Sequence, residues 1–162
     1  MHWVYIIQSD LYGVYECIYL YTIINKGVLF MMLNKYDMEM VMRSAYWKIL
    51  DMLDMEDGPE MEFMEVLRNK TATGSYLRER NIVLIKVRDI KDMVSTLCHE
   101  LRHSWQHKRY GNYFIRTYEQ LDPDDFIEYW ECEFEVDARE FARDNYEEVF
   151  NYVVEENSDL FE

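Results

Sequence analysis

Between Asp37 and Leu53, apolar side chains recur at Met38, Val41, Met42, Ala45, Ile49, Met52 and Leu53. This is the three-and-four spacing of one helix face, and Asp37 is suited to cap its start. The stripe is rich in Met, which fills irregular gaps well, so it reads as a core face rather than a partner groove. Ahead of it, HWVYIIQ, VYECIYLYTII and VLFMML are rich in β-branched and aromatic residues and broken by Ser9-Asp10, Gly13 and Asn25-Lys26-Gly27. They predict a strand-rich N-terminal part over 1–35. Asp57-Gly58-Pro59 closes the first helix, and a shorter helix is expected from Glu60 to Leu67. NKTATGS, 69–75, reads as a loop. Ile82 to Val87 is the clearest short strand in the chain. Asp89 then caps a helix with apolar positions Ile90, Met93, Val94, Leu97, Leu101 and Trp105, stopped by Gly111. A last helix is expected from about Asp125 to about Glu155, with Trp130, Phe134, Ala138, Phe141, Ala142, Asn145, Val149 and Val153 along one face. No repeat or linker interrupts this order, so the expectation is one domain over 1–162.

Composition narrows the function classes. The 162 residues are 49% hydrophobic and 16% aromatic, with five Gly and two Pro, which describes a folded chain with a real core. The net charge of −15 disfavours general binding to nucleic acid or anionic membrane. It is unevenly placed: from Thr117 to Glu162 there are 17 acidic residues against Arg139 and Arg143, and the rest of the chain sums to zero. The most apolar stretch, Leu11 to Leu33, carries Glu16, Asn25, Lys26 and Gly27 inside it, and reads as strands rather than a membrane span. Cys17, Cys98 and Cys132 form no metal-type spacing, and no secretory pattern opens the chain, so reduced thiols in a cytoplasmic protein are expected.

The candidate chemistry lies in CHELRHSWQH, 98–107, which contains His99-Glu100-Leu101-Arg102-His103. At about 100° per residue, His99 and His103 point the same way one turn apart and can reach one Zn²⁺ at about 2.0–2.1 Å. Zinc brings a bound water's pKa down to about 7, and Glu100, beside the pair, can take its proton as it attacks a peptide carbonyl. His107 is one turn further on. Three side chains spread over about 12 Å of helix axis do not converge on one ion, so His107 is assigned a surface or supporting role. The third ligand must come from another element.

On the last helix, with Trp130 as the origin, Glu131 and Glu135 flank the apolar face, whereas Glu133, Asp137, Glu140 and Asp144 fall on a solvated side. Ala138 and Ala142 follow Glu135 at one and two turns and let two helices approach closely. Glu135 is therefore the expected ligand and Glu131 the reserve. Tyr110, Tyr118, Tyr129, His107 and Arg139 remain open as groups that could stabilise an oxyanion. Cys98 sits about 100° from His99 and reads as a small buried apolar residue.

The histidine helix followed by Glu135-x-Asp137-Ala138-x-x-Phe141-Ala142 resembles the small gluzincin peptidases of the ImmA/IrrE type, common in bacteria, phages and mobile elements. The resemblance covers about 72–146. It implies an α+β zincin-like fold, with a small mixed or antiparallel sheet packed on an active-site helix and a C-terminal ligand-bearing helix, and a metal-site core over 72–155. It also implies His99, His103 and Glu135 as zinc ligands, Glu100 as general base, and a protein or peptide substrate laid against the Ile82–Val87 strand as a sheet edge. Many members carry Asn or Asp four residues after the third ligand, where this chain has Arg139. The competing readings are a catalytically silent zincin-fold binding protein and an acidic protein that mimics DNA.

Overall fold

The computed structural model describes residues 34–69, 71–122 and 124–161. The strands expected over 1–33, and Cys17 with them, lie outside the described residues. The α+β architecture expected from the sequence is present: a three-stranded mixed sheet packed on helices, two of which carry the histidines and Glu135.

Helix α1 spans Lys35–Met52 and buries the expected face, with Val41, Met42, Ala45 and Ile49 out of contact with water. Its cap is Asn34, not Asp37. The Asn34 side chain accepts from the Asp37 backbone N–H at 3.0 Å and donates to the Asp37 carboxylate at 2.8 Å. Asp37 is thus the returning half of a capping pair, three residues inside the start.

Residues 60–67 are not a helix. Glu60–Met64 is strand β1, paired parallel with β3, Ile82–Lys86. Glu-Met-Glu-Phe alternates, and pairing places Met61 and Phe63 against the core. Strand β2, Gly74–Leu77, begins inside the stretch expected as a loop and pairs antiparallel with β3 across a turn in which Asn81 takes a left-handed φ of 51°. Among the described residues, β3 is therefore the central strand, in the order β1-β3-β2, and not the expected edge. Both edges of Ile82–Lys86 are paired, and Val83 and Ile85 are fully buried on its core face.

Helix α2, Ile90–Tyr110, has the expected ends. Asp89 accepts from the Lys91 N–H, and Gly111, at φ 52°, stops the helix. One side buries Met93, Val94, Leu97 and Leu101 against the sheet and α1, each contributing about 1.5–3 kcal/mol by leaving water. The same helix also buries polar groups: Glu100, His103, Ser104 and Gln106. A short helix α3, Asn112–Gln120, follows, which the sequence pattern did not signal.

The expected last helix is two helices. Helix α4, Phe126–Glu131, is capped by Asp125, and α5 spans Glu133–Glu156. Cys132 separates them in an extended conformation, ψ 130°. Trp130 consequently leaves the buried stripe and is 49% exposed, while Phe134, Ala138, Ala142, Val149 and Val153 keep it. Ala138 and Ala142 let α5 lie close along α2.

Candidate metal centre

Helix periodicity places His99 and His103 on one side of α2, and α5 brings Glu135 across from them. The two Nε2 atoms are 3.0 Å apart. Glu135 Oε2 is 3.4 Å from His99 Nε2, and Glu135 Oε1 is 3.3 Å from His103 Nε2. A tetrahedral ion bound at about 2.0–2.1 Å holds its donors roughly 3.3–3.4 Å apart. The two nitrogens and the Glu135 carboxylate, which turns one oxygen to each imidazole, thus lie at separations close to those of such a site. Their chemistry fits as well: two imidazole nitrogens and a carboxylate are the donor set of an open zinc centre. Among the described residues these three are the cluster of His, Cys, Asp and Glu that could hold a metal ion.

Glu135 is buried, which by itself disfavours its charge. Hydrogen bonds from His103 and His99 outweigh that cost and hold its carboxyl well below the usual carboxylate range. Tyr118 donates to Glu135 Oε1 at 2.8 Å, and Tyr129 also hydrogen-bonds this carboxylate. Burial and the Glu135 charge push both phenols far up, so they remain neutral donors. Arg139 Nη1 lies 3.9 Å from Glu135 Oε2, its guanidinium rests 3.8 Å over the Trp130 ring, and it donates to the Trp130 carbonyl.

Glu100 lies beside the donors and does not join them. It is almost fully buried, and desolvation raises its pKa against the opposing pull of His103 and His99. The Tyr76 backbone N–H hydrogen-bonds it. This contact follows from strand register. Thr73 accepts from the Lys86 N–H, so in the antiparallel ladder Ser75 and Leu77 face β3 while Gly74 and Tyr76 turn their backbone groups outward.

Gly74 permits the close approach of β2 to α2, since a Cβ there would come within 2.5 Å of Thr96 Cγ2 and 2.9 Å of Glu100 Oε1. Gly74→Ala should displace Glu100 and destabilise the fold by about 1–3 kcal/mol. Thr96→Ser removes the first clash, so thermal melts and zinc-dependent activity of the double variant isolate the effect on Glu100. Unchanged activity in both backgrounds would contradict this placement.

A cleft of about 920 Å³ opens onto the centre. Thr73, Gly74 at the start of β2, His99 and Glu100, Tyr118, Trp130 and Arg139 line it.

The remaining sequence candidates lie elsewhere. His107 meets the Tyr76 hydroxyl through Nδ1 at 3.0 Å. Glu131 is exposed at the end of α4. Tyr110 packs on Trp105 and Phe134. Cys98 is buried, its thiol pushed up to about 12, and both Cys98 and Cys132 are free. Asp137 stays partly exposed but is paired across to α2: Arg102 binds it through two hydrogen bonds of 2.7 and 3.0 Å. Periodicity missed it because an acidic residue outside the apolar stripe looks solvated until a partner helix supplies an arginine. Gln106 was also missed, although its place three residues after His103 puts it on the same helix face.

Fold and centre together are of the zincin-like kind, an HExxH helix with a Glu from a following helix. Neither a family model, nor a curated protein, nor a solved structure matches the chain. The geometry of the centre therefore carries the functional reading. No helix among the described residues is long and apolar enough to cross a membrane.

Proposed function

We propose that the protein is a zinc-dependent metallopeptidase of the gluzincin type, of the ImmA/IrrE kind, that hydrolyses a peptide bond in a protein partner. His99, His103 and Glu135 would hold the metal, and Glu100 is the general base. The observation that carries this reading is the convergence of two imidazole nitrogens and a carboxylate on one point, with a buried carboxylate beside it that does not join them.

A bound zinc supplies a Lewis acid and a water acidified towards neutrality. Glu100 accepts a proton at its carboxylate and returns it to the leaving amine nitrogen. Burial, which raises its pKa, makes it the stronger base. The outward-facing backbone of Gly74 suits an extended peptide, which would add to the sheet at the cleft. Tyr118 and Tyr129 orient Glu135, and Arg139 closes the far side of the carboxylate.

The test compares a bacterial lysate treated with zinc-loaded wild type and with Glu100→Gln, reading newly formed protein N-termini by mass spectrometry. New ends appearing with wild type alone are expected. Identical end patterns from both proteins would remove catalysis from this centre and leave a binding protein.

Metal binding should also depend on pH in a defined sense. Burial lowers the His103 pKa, but the Glu135 hydrogen bond and the Glu100 and Glu135 charges outweigh it, so in the metal-free fold it is raised. Protonated His103 therefore contributes stability that is fully present below the unfolded value of about 6.5 and is lost as pH rises through the folded one. Zinc needs the unprotonated ring. As pH rises from below about 6.5 through the raised folded value, the metal-free protein should lose stability while zinc binding strengthens. The gain in Tm on adding zinc should grow across that window, and a gain that shrinks would contradict the assignment.

A further inference from the structure

Gln106 is completely buried one turn beyond His103. Its Oε1 is 2.8 Å from His103 Nδ1. Its amide nitrogen donates to the Phe134 carbonyl at 2.9 Å and to Asp137 Oδ2 at 2.6 Å. An amide oxygen only accepts and an amide nitrogen only donates. Turning the amide over would press its oxygen against a carbonyl and a carboxylate, so a single orientation is allowed. The group facing His103 is thus an acceptor, and Nδ1 must carry a proton. Nε2, the atom facing His99 and the Glu135 carboxylate, is therefore the nitrogen left to meet a metal.

The acceptors that hold Gln106 are themselves informative. Phe134 and Asp137 bracket Glu135 on the first turn of α5. Asp137 is pinned from its other side by Arg102, whose guanidinium lies 4.0 Å over the Trp105 ring. One α2 side chain therefore touches both a histidine of the centre and the turn that carries its carboxylate.

We propose that Gln106 is the positioning residue of the centre. It sets the His103 tautomer and holds the start of α5, so that Nε2 and the Glu135 carboxylate are aligned before any metal arrives. This deepens the metal-centre reading and rests on it only for the use to which the aligned donors are put. Gln106 touches neither the metal position nor the cleft, so its variants should act through donor alignment.

The test reads the imidazole nitrogens of the ¹⁵N-labelled, metal-free full chain by NMR, with the pH raised until the His103 ring is neutral, and zinc affinity by chelator competition. His103 in wild type is expected as the Nδ1–H tautomer. Gln106→Met should mix the tautomers and weaken zinc binding by about 10–100-fold. Gln106→Glu keeps the acceptor and loses both donors, so it should retain the tautomer yet still bind zinc more weakly.

A wild-type His103 protonated on Nε2 overturns the proposal without any variant, which also decides the matter if the variants fail to fold. So does a Gln106→Met protein that keeps both tautomer and affinity. A wild type that shows the Nδ1–H tautomer but binds no zinc would sink the metal reading and leave the positioning role standing.

Discussion

Glu100→Gln is expected to cut peptide hydrolysis by about 10²–10⁴-fold, the usual contribution of a placed general base, while bound zinc stays near one per chain. The reasoning is geometric. Glu100 stands outside the three-donor cluster, so removing its charge should not empty the centre. The amide has the same shape and its oxygen can still accept from the Tyr76 N–H, so the strand contact that orients the side chain is kept. What is lost is the ability to take a proton. Activity on a peptide identified from the lysate comparison, with zinc measured on the same sample, checks both halves. Zinc lost together with activity would mean that Glu100 is a ligand. Activity retained within a few-fold would mean that some other group is the base.

Glu135→Gln should have the opposite signature, with zinc affinity down by at least about 100-fold, beyond the 10–100-fold typical of supporting residues. The amide oxygen can still accept from Tyr118, so the phenol avoids the roughly 1–3 kcal/mol cost of a buried unpaired donor. The fold should therefore survive the loss of the charge. His103→Ala should also empty the centre, at a greater cost in stability, because it leaves Gln106 Oε1 without its partner. Zinc stoichiometry and melting with and without zinc separate the two variants. If Glu135→Gln binds zinc as wild type does, Glu135 is not a ligand, and a different third donor must be sought.

The two variants together distinguish the function classes. A catalytic zincin loses activity in both and zinc in only one. A silent zincin loses zinc with Glu135→Gln and has no activity to lose. A protein acting only through its acidic end would respond to neither. In that last case the segment after Thr117 would carry the function, although its Glu135 is buried and its Asp137 is paired with Arg102 of α2.

Legibility differed by element, for physical reasons. The α2 helix could be read in full: its cap, its stop, its apolar stripe and the histidine phase all depend on interactions within a few residues. The helix of residues 125–155 could be read only in part. Its periodicity is real on either side of Cys132, but no sequence signal marked the break, and angles counted from Trp130 across it lose their meaning. Glu135 emerged from that count because Ala138 and Ala142, which lie beyond the break, set the face of α5 that meets α2. Asp137 was misread by the same count, since the partner that draws it inward, Arg102, lies 35 residues earlier.

The sequence by itself determined the strand at Ile82–Lys86, the capped histidine helix and the relative placement of His99, Glu100 and His103. Each is encoded in hydrogen bonds and periodicities that close within a turn or a strand. Only the tertiary structure decided that 60–64 and 74–77 are strands, since each is too short to hold an extended form without β3 beside it. It also decided that Glu135 comes within 3.4 Å of both histidines, and that Gln106 and Asp137 tie α2 to α5. Those outcomes depend on which side chains long-range packing brings within hydrogen-bond distance, and no local pattern carries that information.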